Sequence, residues 1–219
     1  MGVLFIDLDH FKKVYFGPVG AEFIEEVAKK SSFRIIGAGY RGARWLTSNK
    51  PVKNVNDIKG LKLRAPTRLT TKLLASMGAT PVGMPVPAVP DALSKGVIDG
   101  AVIPYEVAQT LKIDELAHFT AETDRSANAL YTTVFVMPMN KAKYDSLPAD
   151  LKAVIDKNSG RELSAFLGKT QAGQDVPSKK VFEASANQKI SIIPKAELEK
   201  WKKATDQLDD AWVAEMTGK

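Results

Sequence analysis

Residues 59–105 read KGLKLRAPTRLTTKLLASMGATPVGMPVPAVPDALSKGVIDGAVIPY and alternate between strand-like and helix-like patterns. Apolar and polar side chains alternate from Leu61 to Ala65, which is the period of a half-buried strand, and Pro66 ends that strand. Leucine and methionine then recur at helical spacing as far as Gly78. A second helix and a strand at residues 101–103 follow. This order predicts a parallel sheet with crossover helices.

Arg64 stands at the carboxyl end of the first of these strands, directly before the start of a helix. Open α/β sheets bind their ligands at such junctions. The amino terminus of the helix adds partial positive charge, and an arginine side chain can hold both oxygens of one carboxylate. Arg64 is therefore a candidate anion anchor. An arginine on a solvated strand end is the alternative that these residues leave open.

Five motifs occur in a fixed order around Arg64. They are RWLTSNKP at residues 44–51, GLKLRAP at 60–66, GATP at 78–81, MP at 84–85 and GVIDG at 96–100. Together they resemble the solute-binding proteins of TRAP transporters, the DctP-type family. The resemblance covers essentially the whole chain.

The resemblance implies an α/β fold of the two-lobe periplasmic-binding-protein type (type II-like), with lobes that are discontinuous in sequence and joined by hinge crossings. It also implies an extracytoplasmic protein that captures a small organic carboxylate between its lobes by hinge closure. That protein delivers the ligand to the membrane permease subunits in the periplasm. No enzymatic activity, cofactor, metal ion or nucleic acid is expected.

The resemblance also implies a set of ligand-binding residues. Arg64 is expected to anchor the carboxylate, and Arg44 matches a second arginine that contributes to the site in some members. Ile103 occupies a place where the family often carries a ligand-facing asparagine, and Val86 the place where sialic-acid binders carry phenylalanine. Because an apolar Ile103 cannot pair with a hydroxyl group, a heavily hydroxylated sugar acid is disfavoured.

Two further residues, Tyr105 and Trp45, favour an aromatic or aliphatic acid as the ligand. Both are aromatic side chains next to the motifs above, although either one could equally be an ordinary core residue.

The predicted lobes are residues 1–42 with 129–170, and residues 43–128 with 171–219. An apolar strand at residues 33–36 leads into a glycine-rich connection at 37–42, which we interpret as the crossing between lobes. A β-prone run at residues 129–139 is predicted to return to the first lobe. Helical character is expected from Pro148 to about Ala186, interrupted at residues 173–177, with one final helix after Pro194.

The amino-terminal region departs from the family pattern. The chain begins late, and Met1 leads directly into GVLFID without a signal-peptide pattern. We therefore expect the first lobe to be incomplete. Exposed strands and apolar faces in that lobe lead us to expect self-association.

Composition excludes several other classes of protein. The chain has 219 residues, no cysteine, two histidines and a formal net charge of +6. Scattered lysines indicate a solvated surface rather than a nucleic-acid stripe. No zinc motif, nucleophile elbow or Walker loop is present.

Three rival interpretations remain open. The first is a nucleotide-dependent oxidoreductase, because residues 37–42 formally match G-x-G-x-x-G after a strand. The second is a diguanylate cyclase fragment, because FIDLDHFKK resembles the opening of that domain and Asp7 would be its metal-binding aspartate. The third is an interaction protein that has lost its ligand site.

Overall fold

The computed structural model describes residues 8–43, 45–124, 126–127 and 131–217. For residues 8–10, 40–43, 45, 132, 172 and 216 it describes the backbone only. Two of the residues singled out above, Asp7 and Arg44, lie outside the described residues.

Helices and strands alternate along the described part of the chain. The strands are β1 (Phe33–Ala43), β2 (Trp45–Ser48), β3 (Lys62–Ala65), β4 (Thr80–Gly83), β5 (Gly100–Ala101), β6 (Phe119–Thr123), β7 (Tyr131–Asn140) and β8 (Lys189–Ile193). The α-helices are α1 (Leu8–Tyr15), α2 (Pro18–Lys30), α3 (Arg68–Ser76), α4 (Val89–Ser94), α5 (Tyr105–Thr110), α6 (Lys141–Asp145), α7 (Ala149–Lys157), α8 (Arg161–Ala184), α9 (Lys195–Thr205) and α10 (Gln207–Thr217). Short 3-10 helices lie at Val55–Ile58, Val86–Ala88 and Ile113–Glu115.

The chain divides into two compact units. Among the described residues, the larger unit holds Ala43–Tyr131 and the chain from Gln174 onward, and the smaller unit holds residues 8–42 together with Thr132–Gly173.

The larger unit is built on a six-stranded mixed sheet with strand order β4-β3-β5-β2-β6-β8. Strand β3 runs parallel to both β4 and β5, which confirms the parallel arrangement predicted for the middle of the chain. Strand β2 is antiparallel to β5 and β6, and β6 is parallel to β8. The carboxyl ends of β3, β4 and β5 therefore meet at one edge of the sheet.

Apolar side chains cover both faces of this sheet. One cluster gathers buried residues of β2, β3, α3 and α9, with Leu63, Leu74 and Trp201 fully buried. The second cluster gathers Ile98, Ile103, Tyr105 and Phe182 from α4 to α8. Burial of side chains of this size contributes about 1.5–3 kcal/mol each, so these clusters hold the sheet in place.

The GVIDG motif has a structural explanation. The Asp99 carboxylate accepts a hydrogen bond of 2.8 Å from the backbone N–H of Lys62, which ties the start of β3 to the start of β5. A Cβ atom at Gly100 would lie 2.3 Å from the carbonyl oxygen of Thr47, so only glycine lets β2 approach this closely. Gly96 has a φ of +66°, which also favours glycine.

The smaller unit contains a two-stranded sheet of β1 and β7. Phe11 and Tyr15 of α1 stack with their ring centroids 5.1 Å apart and pack with Ala38 of β1. Three consecutive residues of β7 keep 40–45% of their surface exposed, namely Phe135, Val136 and Met137.

Three details of the predicted secondary structure are wrong. The strand predicted at residues 33–36 does not end there, because β1 continues through the glycine-rich residues 37–42 to Ala43. Helix α8 runs without interruption through residues 173–177 and accommodates Pro177 inside it. The single final helix is two helices, α9 and α10, which meet at Asp206.

Candidate functional site

The candidate site is built around Arg64 at the carboxyl end of β3. Arg64 lies opposite Val82 of β4 and Ala101 of β5, so both neighbouring strands end beside it. Pro66 and Thr67 follow, and Thr67 caps α3 in a reciprocal pair of hydrogen bonds with Thr70. The predicted junction between a strand and a helix is thus confirmed.

The guanidinium of Arg64 is held by backbone carbonyls from both neighbouring strands. Nε donates to the carbonyl oxygen of Met84 at 3.2 Å, and Nη1 donates to that of Val102 at 3.0 Å. Met84 follows β4 and Val102 follows β5, so the ends of the parallel strands orient the side chain. These two bonds use two of the five N–H groups of a guanidinium, which leaves three for another acceptor.

Arg64 is a buried cation. The residue is only 5% exposed, and no carboxylate pairs with it anywhere in the described part of the chain. Burial lowers the pKa of its guanidinium below its ordinary value, and an electrostatic contribution from Tyr131 partly opposes that shift. Since arginine side chains are almost never fully buried without a partner, this position favours an anion from outside the chain.

The structure places some of the other predicted site residues near Arg64 and others in the core. The register of β2 places the backbone of Trp45 opposite Glu122 and at the same edge of the sheet as Arg64. Val86 is half-buried and begins the 3-10 helix that follows β4. Nothing is described for Arg44.

Ile103 and Tyr105 are core residues in this structure. Both are 2% exposed, and the ring of Tyr105 packs edge-on against Phe182 with centroids 5.2 Å apart. Their role as ligand-binding residues stays a prediction, because these packing contacts already account for both side chains.

Sequence reasoning missed two contributors to the site, namely the carbonyl groups of Met84 and Val102. Carbonyl groups are present at every residue, so no residue type marks them.

The described residues offer little for other chemistries. They contain no group of three or more histidine, aspartate or glutamate side chains that could hold a metal ion. Residues 37–42, which formally match a dinucleotide-binding loop, lie within a strand and open no helix. Among the helices that are described, none is long and apolar enough to cross a membrane.

Comparison with known proteins agrees with this fold. The family model described as "DctP: Bacterial extracellular solute-binding protein, family 7" matches residues 2–215. The chain spans 45% and 52% of the length of two curated solute-binding proteins, from Roseobacter denitrificans and Sulfitobacter sp. NAS-14.1.

Solved structures give the same result. A TRAP solute-binding protein from Rhodoferax ferrireducens T118, in complex with copurified benzoate, is 43% identical with a TM-score of 0.81, covering 85% of this chain and 58% of that one. A marine metagenome TRAP solute-binding protein specific for aromatic acid ligands, in complex with 3-hydroxybenzoate, is 38% identical with a TM-score of 0.80, covering 92% of this chain and 61% of that one. A TRAP periplasmic solute-binding protein from Sulfitobacter sp. NAS-14.1, with bound α-D-taluronate, is 27% identical with a TM-score of 0.82, covering 99% of this chain and 68% of that one.

These likenesses confirm the predicted α/β fold of the two-lobe periplasmic-binding-protein type. They also show that ligands differ among similar structures, since both aromatic acids and a sugar acid occur.

Proposed function

This chain belongs to the DctP family of bacterial extracellular solute-binding proteins, the solute-binding components of TRAP transporters, and on that premise we propose that it binds a small organic carboxylate through Arg64 and delivers it to a TRAP membrane permease. Members of the family work in the periplasm, and the proposal places this chain there too. The work of such a protein is binding and release, without catalysis.

One observation carries the proposal, namely the unpaired burial of Arg64. Its charge is buried away from water, and no carboxylate among the described residues neutralises it. Three of its N–H groups also have no acceptor among those residues. A ligand carboxylate would supply both the missing charge and the missing acceptors, and a planar guanidinium can hold its two oxygens together. The two bonds to Met84 and Val102 hold the guanidinium in place before the ligand arrives.

We propose an aromatic monocarboxylate as the first ligand to test. The two similar structures with the higher identities, 43% and 38%, hold benzoate and 3-hydroxybenzoate. Ile103, at the position where the family often has asparagine, offers no hydrogen bond to a hydroxylated ligand. The Sulfitobacter structure with taluronate is less similar, at 27% identity.

The remaining site residues have supporting roles in this proposal. Arg44 is a second cation for the carboxylate, and Trp45 at the shared sheet edge offers aromatic surface. Val86 leaves space where sialic-acid binders carry phenylalanine. Ile103 and Tyr105 shape the apolar base of the site from within the core.

The division into lobes is part of the same proposal. Residues 1–42 with 129–170 form one lobe, and residues 43–128 with 171–219 form the other. The two compact units support this division, since their boundaries fall at residues 42/43, 131/132 and 173/174.

Self-association is a further element of the proposal. The exposed apolar residues of β7, Phe135, Val136 and Met137, support it, because contiguous apolar surface on a strand favours contact with another chain.

A thermal-shift screen followed by calorimetric titration tests the proposed ligand class. We expect benzoate and 3-hydroxybenzoate to raise the melting temperature of the full chain more than galacturonate or malonate does, at equal concentration and pH. Benzamide is the matched control, because it has the same ring without the negative charge, and it should give no shift. If no acid of the panel shifts the melting temperature, the carboxylate proposal fails, and if only galacturonate does, the aromatic preference fails.

A further inference from the structure

The strands at the edges of the two sheets differ in how open they are to a further strand. The six-stranded sheet of the larger unit ends in β4 and β8, which have only four and five residues. Strand β4 contains Pro81 and β8 begins at Lys189, and short strands, proline and lysine all discourage another chain from pairing with an edge. In the smaller unit, β7 has ten residues and no charged side chain. Its one proline, Pro138, removes a single N–H group.

The two-stranded sheet of β1 and β7 is already closed at one edge. In β1, the carbonyl oxygen of Ile36 accepts a hydrogen bond of 2.7 Å from the N–H of Gly160, and the N–H of Ala38 donates to the hydroxyl group of Ser164 at 2.9 Å. Because Gly160 and Ser164 lie at the start of α8, this helix occupies the edge of β1 that faces away from β7. Among the described residues, no strand pairs with the outer edge of β7.

Apolar side chains are exposed on both faces of β7. Phe135, Val136 and Met137 keep 44%, 40% and 45% of their surface exposed. Since successive residues of a strand point to opposite faces, Phe135 and Met137 share one face and Val136 lies on the other. A strand laid along this edge would therefore cover apolar surface on both faces while it pairs with the backbone of β7.

We propose that this edge binds a second copy of the same chain, with the two β7 strands antiparallel across a two-fold axis at Val136. The inference deepens the self-association in the proposed function and rests on that element alone. Because β7 has no charged side chain, two copies can pair without like charges opposite each other. A two-fold contact uses the same patch on both chains, and a neutral apolar strand is complementary to itself.

The length of β7 determines where the axis lies. Directly opposite residues of an antiparallel pair share a face of the sheet, so a two-fold axis has to pass between one residue and its own copy. An axis at Val136 lies next to the midpoint of β7 and pairs residues 132–140 with one another. That register also places Phe135 opposite Met137 of the second copy, which brings an aromatic ring to a thioether.

Single-cysteine variants of the full chain test this register, because the chain itself has no cysteine. A disulfide requires two Cα atoms about 4.4–6.8 Å apart, which the residue on the axis and its copy satisfy. We expect Val136→Cys to form a disulfide-linked dimer under mild oxidation. Met137→Cys is the matched control and should form clearly less, because residue 137 and its copy are offset by roughly 7 Å along the strands in addition to the strand spacing.

Analytical ultracentrifugation tests the association itself. We expect wild type to sediment as a dimer, and Val136→Lys to raise the dissociation constant of that dimer on the order of tenfold or more, because two like charges then lie opposite each other at the axis. Ile192→Lys is the matched control, since Ile192 is 54% exposed on the edge strand β8, and it should leave the dimer intact. Circular dichroism checks that both variants fold.

Three results would overturn the inference. They are a monomeric wild type, a dimer that Val136→Lys leaves unchanged, and equal cross-linking in Val136→Cys and Met137→Cys. Val136 is not among the proposed ligand-binding residues, so Val136→Lys should bind benzoate as wild type does. The carboxylate proposal therefore stands or fails on the titrations with ligand, whatever the sedimentation shows.

Discussion

Arg64 and Lys179 are both cations in the interior of the larger unit, yet their surroundings differ. The ammonium of Lys179 lies 2.5 Å from the carboxylate of Glu122, a residue that is 1% exposed. Arg64 has only backbone carbonyls as hydrogen-bond partners, and no carboxylate pairs with it in the described part of the chain. The fold thus pairs one buried cation with an acid of its own sequence, whereas our proposal assigns the other an anion from outside. The first arrangement is typical of a structural ion pair, and the second is typical of a binding site.

The largest effect that we expect from this comparison concerns stability. Lys179→Met removes the cation and leaves the buried carboxylate of Glu122 without it, so the free energy of unfolding should fall by about 3 kcal/mol. That figure is at the low end for a buried pair because the side chain of Lys179 keeps 19% of its surface exposed. Urea unfolding at neutral pH, without ligand, measures the change.

Arg64→Met is the matched variant for this measurement. It removes a cation that has no acidic partner, so the relief of a desolvated charge offsets part of the loss of two hydrogen bonds. We expect it to lower the free energy of unfolding by less than half as much as Lys179→Met. An equal or greater loss would break the comparison, because Arg64 would then be a structural cation.

A smaller effect concerns a third charged group of the same unit, Glu197. Its carboxylate binds Lys200 at 2.9 Å and accepts a hydrogen bond of 3.0 Å from the backbone N–H of Val55. The ion pair with Lys200 and then the Val55 N–H hold the pKa of Glu197 below its ordinary value of 4.5. Because the pKa is lower in the folded state, this stabilisation is present above about pH 4.5 and is lost as the pH falls through the folded pKa.

We therefore expect Glu197→Gln to be less stable than wild type at pH 7 by less than about 1 kcal/mol, and the difference to shrink at pH 3. Urea titrations at the two pH values measure it. Glu199→Gln, at an exposed position two residues away, is the control and should show no pH-dependent difference from wild type. If the stability difference between Glu197→Gln and wild type grows at pH 3, the lowered pKa of Glu197 is contradicted.

The middle of the chain was predictable because local signals agree there with the final packing. Alternation in β3, helical spacing in α3 and a glycine with φ +85° at Gly78 all indicate the same elements that form. The 3-10 helix at Val55–Ile58 likewise begins with a local signal, a capping box formed by Asn54 and Asp57.

The sequence was misleading where local preference and tertiary structure disagree. Glycine is depleted in strands, so the predicted strand ended at residue 36, yet β1 continues to Ala43. Pro177 and Gly173 indicated a break, yet α8 continues through both, and Ser178 and Phe182 just beyond them are buried at 3% and 1% exposure. In both places the packing of neighbouring elements outweighs the preference of single residues.

Only the proposed anchor of the site was predictable from the sequence. The rule that ligands bind at the carboxyl ends of parallel strands located Arg64 before its surroundings were known. The carbonyl groups of Met84 and Val102 become its partners through the register of β4 and β5, which no residue type reveals.

The most direct test of the central claim is the affinity of Arg64→Ala for the carboxylate that wild type binds best, measured by calorimetric titration. Removal of one partner from a buried charge pair costs about 2–5 kcal/mol, so we expect affinity to fall by a factor on the order of thirty or more. Arg64→Lys keeps the charge but loses the planar fork, and it should recover only part of the binding. Arg68→Ala is the control, because the Arg68 side chain is 57% exposed and pairs with Glu215 at the surface. Loss of binding in Arg64→Ala with unchanged binding in Arg68→Ala is the expected result, and wild-type affinity in Arg64→Ala would contradict the account.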